Sequence, residues 1–256
     1  MKFLSLIGVE FKKIRRSKIL LILAAATIIL WFPSVLHADM NFKMQAQSIL
    51  PENNFLIQGF MGMAWFMFPA SMVVSTVLLN MTERSNKGIL KMLSLPINTM
   101  KLCLAKFVVL LNLAAVQILM TIGMYYISAG IASKIQNYNF MLQPWFVFKE
   151  AGLIFVAAIP MLAFFWLLAV WIQTPIFSIG IGLASIVPSV LMINTKLWFA
   201  YPMAYPFFVI TAEYGKMASN LTTTQVELFP WLPVAVGITI VCLFISCLCF
   251  GQAERR

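Results

Sequence analysis

The chain has 256 residues, 62% of them apolar and only 10% charged, with a mean hydropathy of +0.92. A typical globular chain is about a quarter charged, so this composition excludes an ordinary soluble domain and a disordered one alike. Its 18 Lys and Arg against 8 Asp and Glu give a formal charge of +10, which in so apolar a chain is a matter of membrane topology; no nucleic-acid partner is expected.

In chain order, residues 2–17 read first as an amphipathic helix. Phe3, Ile7, Phe11 and Ile14 share one side, while Ser5, Lys12, Arg15 and Arg16 share the other. Two readings fit: an elbow lying in the interface plane before the first span, or a basic flank required by topology. Charge-free apolar stretches follow at Ile19–Leu36, Phe55–Leu79, Phe107–Ile131, Ala151–Ile172, Ile176–Ile193 and Pro230–Phe250. Each approaches or exceeds the roughly 20 residues that cross a bilayer. The expected fold class is therefore all-α, a polytopic membrane protein of six transmembrane helices forming one domain over 1–256. The basic start and first apolar run have the outline of a signal peptide. Leu36 would stand at position −3 of a cut after Ala38, a poor small residue, so the segment is expected to be retained.

Six spans put both termini on one side, and Lys and Arg choose which. That side holds Lys2, Lys12, Lys13, Arg15, Arg16, Lys18, Arg84, Lys87, Lys91, Lys101, Lys106, Arg255 and Arg256; the other holds only Lys43, Lys134, Lys149, Lys196 and Lys216. Both termini are expected in the cytoplasm of a bacterial cell, against an anionic inner leaflet.

The connection between spans two and three, 81–101, is longer than a turn requires. Ile89, Leu90, Met92 and Leu93 make one apolar face of a short helix with Lys91 and Ser94 opposite, Pro96 stops it, and Asn98 or Thr99 can cap the third span. This reads as a rigid knob offered to another protein.

The spans themselves are chemically spare. No Asp, Glu, Lys or Arg lies near the middle of any span and the one histidine, His37, sits at the end of the first, so the mid-membrane charges of an ion-driven carrier are missing. Asn112 and Gln117, with scattered Ser and Thr, are expected to hydrogen-bond between helices. A single histidine leaves almost no protease or lipid-modifying site, no metal site is expected, and there is no GxxxxGK with which to bind ATP. Cys103, Cys242, Cys247 and Cys249 read as buried small hydrophobes. Pro33, Pro69, Pro160 and Pro188 lie in or near the ends of spans, and Ser178, Gly180, Gly182, Ala184 and Ser185 form a small-residue tract suited to close helix approach.

The segment 194–229 contains LWFAYPMAYPFF, too apolar for a free loop and too proline-broken to span. It is read as a kinked structure at the outer interface, where Trp and Tyr favour the headgroup level. Either it merely anchors the bundle, or Trp198, Tyr201, Tyr205 and Glu213, with Trp145 and Glu150, line a path for a cationic amphiphilic peptide.

On these residues the chain resembles the permease subunits of type-2 ABC exporters. Their loop after the second span commonly reads E…G-(T/I)-L…L…P…K, and Glu83, Gly88, Ile89, Leu90, Leu93, Pro96, Lys101 and Lys106 stand in that order. The resemblance implies that this segment is a coupling helix seated in a groove of an ATP-binding subunit. The elbow residues Glu10, Phe11, Lys13 and Arg16, together with the aromatic-proline segment, are similar to the lantibiotic-immunity and bacitracin-type peptide export permeases. That likeness implies export of antimicrobial peptides, pairing with a second, different permease and two ATP-binding subunits, ATP and Mg held by those partners, and no cofactor or catalysis in this chain. The alternatives are export of another drug or lipid-linked substrate, and a membrane immunity protein that uses no ATP.

Overall fold

The computed structural model describes residues 3–43, 49–84, 98–172, 174–217 and 228–253, and every element among them is helical. Helix α1 is Phe3–Arg16, α2 Ile19–Leu36 and α3 Met40–Lys43. The second span is α4 Pro51–Gly62, a π-helical turn Met63–Met67, and α5 Phe68–Arg84. Then come α6 Thr99–Gln136, α7 Pro144–Trp171, α8 Pro175–Ile186, α9 Ser189–Met192, two 3₁₀ turns at Trp198–Ala200 and Pro202–Ala204, α10 Tyr205–Met217, and α11 Leu228–Ala253.

Six of these segments are long and apolar enough to cross a membrane, so the chain is a six-span membrane protein. They divide by burial. The apolar stretches of the second, third and fourth spans are 61–67% inside the protein, whereas those of α2, of the fifth span Pro175–Met192 and of the last span are 22% inside. Three spans thus form a core and three lie at its rim. Helix α7 packs on α11 and α10, α2 on α6, and α5 on α8. At 1.5 Å per residue the 38-residue α6 is about 57 Å long, nearly twice the hydrocarbon thickness, so it projects beyond the bilayer.

Local chemistry explains where helices bend and stop. Pro69 has no N–H to give, and just before it the Phe68 N–H reaches back five residues to the Met63 carbonyl, the π-turn register. Pro188 separates α8 from α9. Asn98 caps α6 by accepting from the Met100 N–H at 2.9 Å, and Asn137 ends it in the left-handed region at φ 50°.

The core is aromatic at its centre. Trp31, wholly buried, lies 5.6–6.3 Å from the rings of Tyr125, Phe55 and Phe60. Gly59 is what admits it, since a Cβ there would stand 2.4 Å from the indole. Gly182 likewise lets α8 approach α5, where a Cβ would meet Val73 at 2.6 Å. The small-residue tract therefore packs within the chain at Ser178 and Gly182, while Gly180 faces open space.

Polar groups in the spans are mostly satisfied locally. Ser71 donates to Gln117 Oε1 at 2.7 Å across α5 and α6, and Thr27, Thr76, Thr121 and Ser246 each donate to the carbonyl four residues back. Asn112 differs from the sequence expectation: it is exposed rather than hydrogen-bonded between helices, because the α6 face it shares with Val108 points away from the bundle. The four cysteines are free; Cys103, Cys242 and Cys247 are buried and Cys249 is partly so.

Candidate functional site: a buried ion cluster at one end, an aromatic cluster at the other

The end of the bundle that carries α1 also holds the start of α6 and the ends of α5, α7 and α11; it is called the terminal face below. Glu10 of α1 is 1% exposed and Lys106 of α6 is 0% exposed. Glu10 Oε1 lies 2.6 Å from Lys13 Nζ and Oε2 lies 3.2 Å from Lys106 Nζ. A buried carboxylate is tolerable only when paired and hydrogen-bonded, and here one anion answers two cations. Lys106 and Lys13 each have further interactions besides Glu10. Lys106 stands two turns beyond the Asn98 cap, so the cluster ties α1 to the helix that leads directly out of the 81–101 connection.

This pairing sets the rotation of α1. The sequence pattern groups Phe3, Ile7, Phe11 and Ile14 on one side; in the structure the buried line is Leu6, Glu10 and Ile14, with Phe3 and Phe11 exposed. The charged residue takes the inner position because its partner is there, and the two phenylalanines turn outward to the apolar surroundings. Beneath the cluster the Trp166 indole donates to Cys103 Sγ at 3.3 Å and stacks on Phe250, fastening α7 to α6 and α11.

Of the residues read as the knob, Gly88, Ile89, Leu90, Leu93 and Pro96 lie outside the described residues. Arg16 and Glu83 are described in backbone only, as the last turns of α1 and α5. Lys101 is exposed in the first turn of α6.

The opposite end carries the six residues read as substrate-facing, and they fall into separate groups. Trp198 stacks on Phe208 at 3.7 Å, meets Tyr205 edge-on at 6.3 Å and lies 5.9 Å from Trp231. Tyr205 is wholly buried and its hydroxyl donates to the Phe199 carbonyl; that of the half-buried Tyr201 donates to Ser185. Burial pushes the Tyr201 phenol up and that of Tyr205 up to about 12, so both remain neutral donors. These rings mostly serve one another. Glu150 is 1% exposed; Lys149 Nζ stands 3.2 Å from its Oε1, near enough for ion pairing but off hydrogen-bond geometry, and neither carboxylate oxygen has a hydrogen-bond partner. Glu213 pairs with Lys216 at 2.9 Å and acts on Glu150 electrostatically. Trp145, at 81% exposure, joins none of these groups.

A further cleft at this end has no counterpart in the sequence reading. About 320 Å³ in volume, it lies between α2 and α4 and is lined by His37, Asn41, Asn54 and Gln58 among apolar neighbours. Asn54 donates to Asn41 Oδ1 at 2.8 Å and Asn41 to the Ala38 carbonyl at 3.0 Å. The signal available in the sequence was the i, i+4 pair Asn54 and Gln58 on one helix face. Nearby, Tyr138 donates to Glu52, whose carboxylate holds the phenol up to about 12. Among the described residues no group of three metal-ligating side chains comes together.

Residues 6–189, running from α1 into the fifth span, match the family model described as ABC-2 family transporter protein. The chain belongs to the ABC-2 transporter family. No curated protein and no solved structure matches it. As an ABC-2 permease it is a multi-pass membrane transport subunit of a system in which an ABC ATP-binding subunit takes part. The matched range includes both halves of the Glu10–Lys106 pair and ends at Ser189, before the aromatic segment.

Proposed function

We propose that this ABC-2 permease works in an ATP-driven exporter that expels antimicrobial peptides from the bacterial membrane. Both termini lie in the cytoplasm; two copies of an ATP-binding subunit bind there, holding ATP and Mg, and a second, different permease completes the pathway. The chain itself catalyses nothing and binds no cofactor.

The observation that carries the transport reading is the Glu10–Lys13–Lys106 cluster. It joins the interfacial helix α1 to the base of the longest core span, immediately after the connection that the family resemblance assigns to the ATP-binding partner. When the ATP-binding subunits close, force on Glu83, Gly88, Ile89, Leu90, Leu93, Pro96 and Lys101 enters α5 and α6 together. Because Lys106 is buried against Glu10, α1 moves with α6 rather than sliding past it, and the displacement reaches the far end along one continuous helix. The peptide class is supported by half-buried Trp198, Tyr201 and Glu213 and exposed Trp145 at that end, suited to a cationic amphiphile; Glu150, 1% exposed, does not face such a ligand.

The substrate class is tested in cells exposed to a cationic antimicrobial peptide. Trp198→Ala with Glu213→Gln should lower the tolerated concentration at unchanged protein level in the membrane. Unchanged tolerance would remove the peptide path while leaving the ABC-2 assignment intact.

A further inference from the structure

The cleft between α2 and α4 is a cup near the helix ends, not a passage through the bundle. Pro33 stands three residues from the end of α2 and Gln58 seven from the start of α4, so the cleft reaches about 5–10 Å below those ends. One turn deeper the two helices close on each other, since a Cβ on Gly62 would stand 3.0 Å from Leu30 Cδ1. The outermost turns of a span meet the headgroups and first carbons of the bilayer, and that is the depth of the cleft. Ile29, Pro33 and His37 follow at i, i+4 and i+8 on one face of α2, and Ile29 is exposed, so an apolar strip leads from the cleft toward hydrocarbon.

A chain of amides belongs to its wall. Gln58 Nε2 donates to Asn54 Oδ1 at 3.4 Å, Asn54 Nδ2 to Asn41 Oδ1 at 2.8 Å, and Asn41 Nδ2 to the Ala38 carbonyl at 3.0 Å. Every bond runs the same way, so each polarises the next and the open end of the chain is an acceptor, Gln58 Oε1. Asn41 and Asn54 are buried and hold that end in place, whereas Gln58 and His37 are exposed and Ser34 is half-buried, so an occupant can reach these three. Among the described residues no hydrogen bond engages Gln58 Oε1, the His37 ring or the Ser34 hydroxyl. The described lining includes no carboxylate, lysine or arginine; nearby, Asp39 is paired with Lys43 at 3.6 Å and Glu52 with the Tyr138 hydroxyl.

We infer that this cleft binds the uncharged, hydroxyl-bearing headgroup of a membrane glycolipid, a single hexose seated against Gln58, His37 and Ser34 with its acyl chains running down α2 past Ile29. The open end of the amide chain calls for a donor, which a sugar hydroxyl has and which ester, phosphodiester and choline groups lack. The Ser34 hydroxyl and a neutral imidazole at His37 each donate and accept, as sugar hydroxyls do. A lining without charge gives no ion-pair partner to a phosphate or to a cationic peptide, so the neutral headgroup is the better match. The rest of the wall is apolar, with Phe55 and Met40 to lie against the C–H faces of the ring. At about 30 Å³ for each water-sized group, 320 Å³ holds on the order of ten non-hydrogen atoms, the size of one hexose with its exocyclic groups.

The test uses the full chain in phosphatidylcholine nanodiscs carrying equal small fractions of monoglucosyl diacylglycerol and of the diacylglycerol with the same chains, with native mass spectrometry of the lipids retained on the released protein. The site predicts a single retained glucolipid, severalfold above the diacylglycerol. Gln58→Leu removes the open acceptor from an exposed position and should lower that excess severalfold with little change in melting temperature. Ser34→Phe fills the cleft and should abolish the excess, and it carries the test should the first variant insert poorly. Equal retention of the two lipids, or an excess that both variants leave intact, would overturn the site. Displacement of the glucolipid by soluble methyl glucoside, or by a capped uncharged peptide, at the same concentration would overturn the lipid as occupant and give the cleft to a free sugar or to a peptide main chain.

Discussion

Replacing Glu10 by Leu would remove the anion that answers two lysines at once. Lys13 has a side chain 29% exposed and can turn to water, but Lys106 is wholly buried and cannot. Removing one partner of a buried ion pair costs about 3–5 kcal/mol, against about 0.2–1 kcal/mol for an exposed pair. Lys106 keeps other interactions, which places the expected loss near the lower end, about 3 kcal/mol. For a chain of this size about 2–4 °C is lost per kcal/mol, so the purified Glu10→Leu permease should melt roughly 6–12 °C below the parent in detergent. Adding Lys106→Met removes the stranded charge and should recover most of that loss, because an apolar pair of similar volume is often as stable as the ions it replaces. The same double variant should insert normally yet transport poorly, since α1 and α6 are no longer keyed to one another. A Glu10→Leu protein melting within about 2 °C of the parent, as loss of a surface pair would give, or two single losses that simply add, would refute the reasoning.

Other consequences follow from close contacts and one phenol. Gly59→Ala drives a methyl to 2.4 Å from the buried Trp31 ring and should cost about 1–3 kcal/mol, read as a lower melting temperature. Gly182→Ala should destabilise by a similar mechanism through Val73, and Val73→Ala should rescue it; failure of the rescue would mean that α8 does not pack on α5 as described. Tyr138 is held protonated by Glu52, its pKa raised from about 10 to about 12. A folded-state value raised above the unfolded one gives stability that is complete below pH about 10 and lost as pH rises through about 12, so Tyr138→Phe should flatten the alkaline limb of the stability profile between those values.

Much of the fold was legible because a bilayer leaves few options. An uncharged run near 20 residues spans as a helix, and the six apolar stretches in the sequence are the six spans of the structure. Hydropathy could not set their ends. Helix α6 extends well past Phe107–Ile131 because its flanks, bearing Lys101, Lys106 and Lys134, are polar yet still helical, and only the caps Asn98 and Asn137 stop it. Nor could it set rotation. Periodicity groups Phe3 and Phe11 with Ile7 and Ile14 on one side without setting which way that side turns, and in a membrane protein an apolar residue is content facing lipid, whereas a carboxylate must find its partner. The Lys106 that supplies this partner is 96 residues away, and no local pattern announces it. At the far end the aromatic residues of 194–229 were visible as a cluster in sequence; that they consume one another's faces, leaving Trp231 with an idle N–H, is a matter of three-dimensional packing.

The claim on which the rest depends is that this permease is moved by an ATP-binding partner gripping the terminal face. Purifying the tagged chain from its host in mild detergent, with identification of co-eluting chains and an ATPase assay of the eluate, tests it most directly. The account predicts an ATP-binding subunit and a second six-span chain, with ATP hydrolysis that Gly88→Trp combined with Pro96→Ala uncouples from transport without loss of insertion. A stable, correctly inserted single chain that elutes alone and hydrolyses no ATP would contradict it.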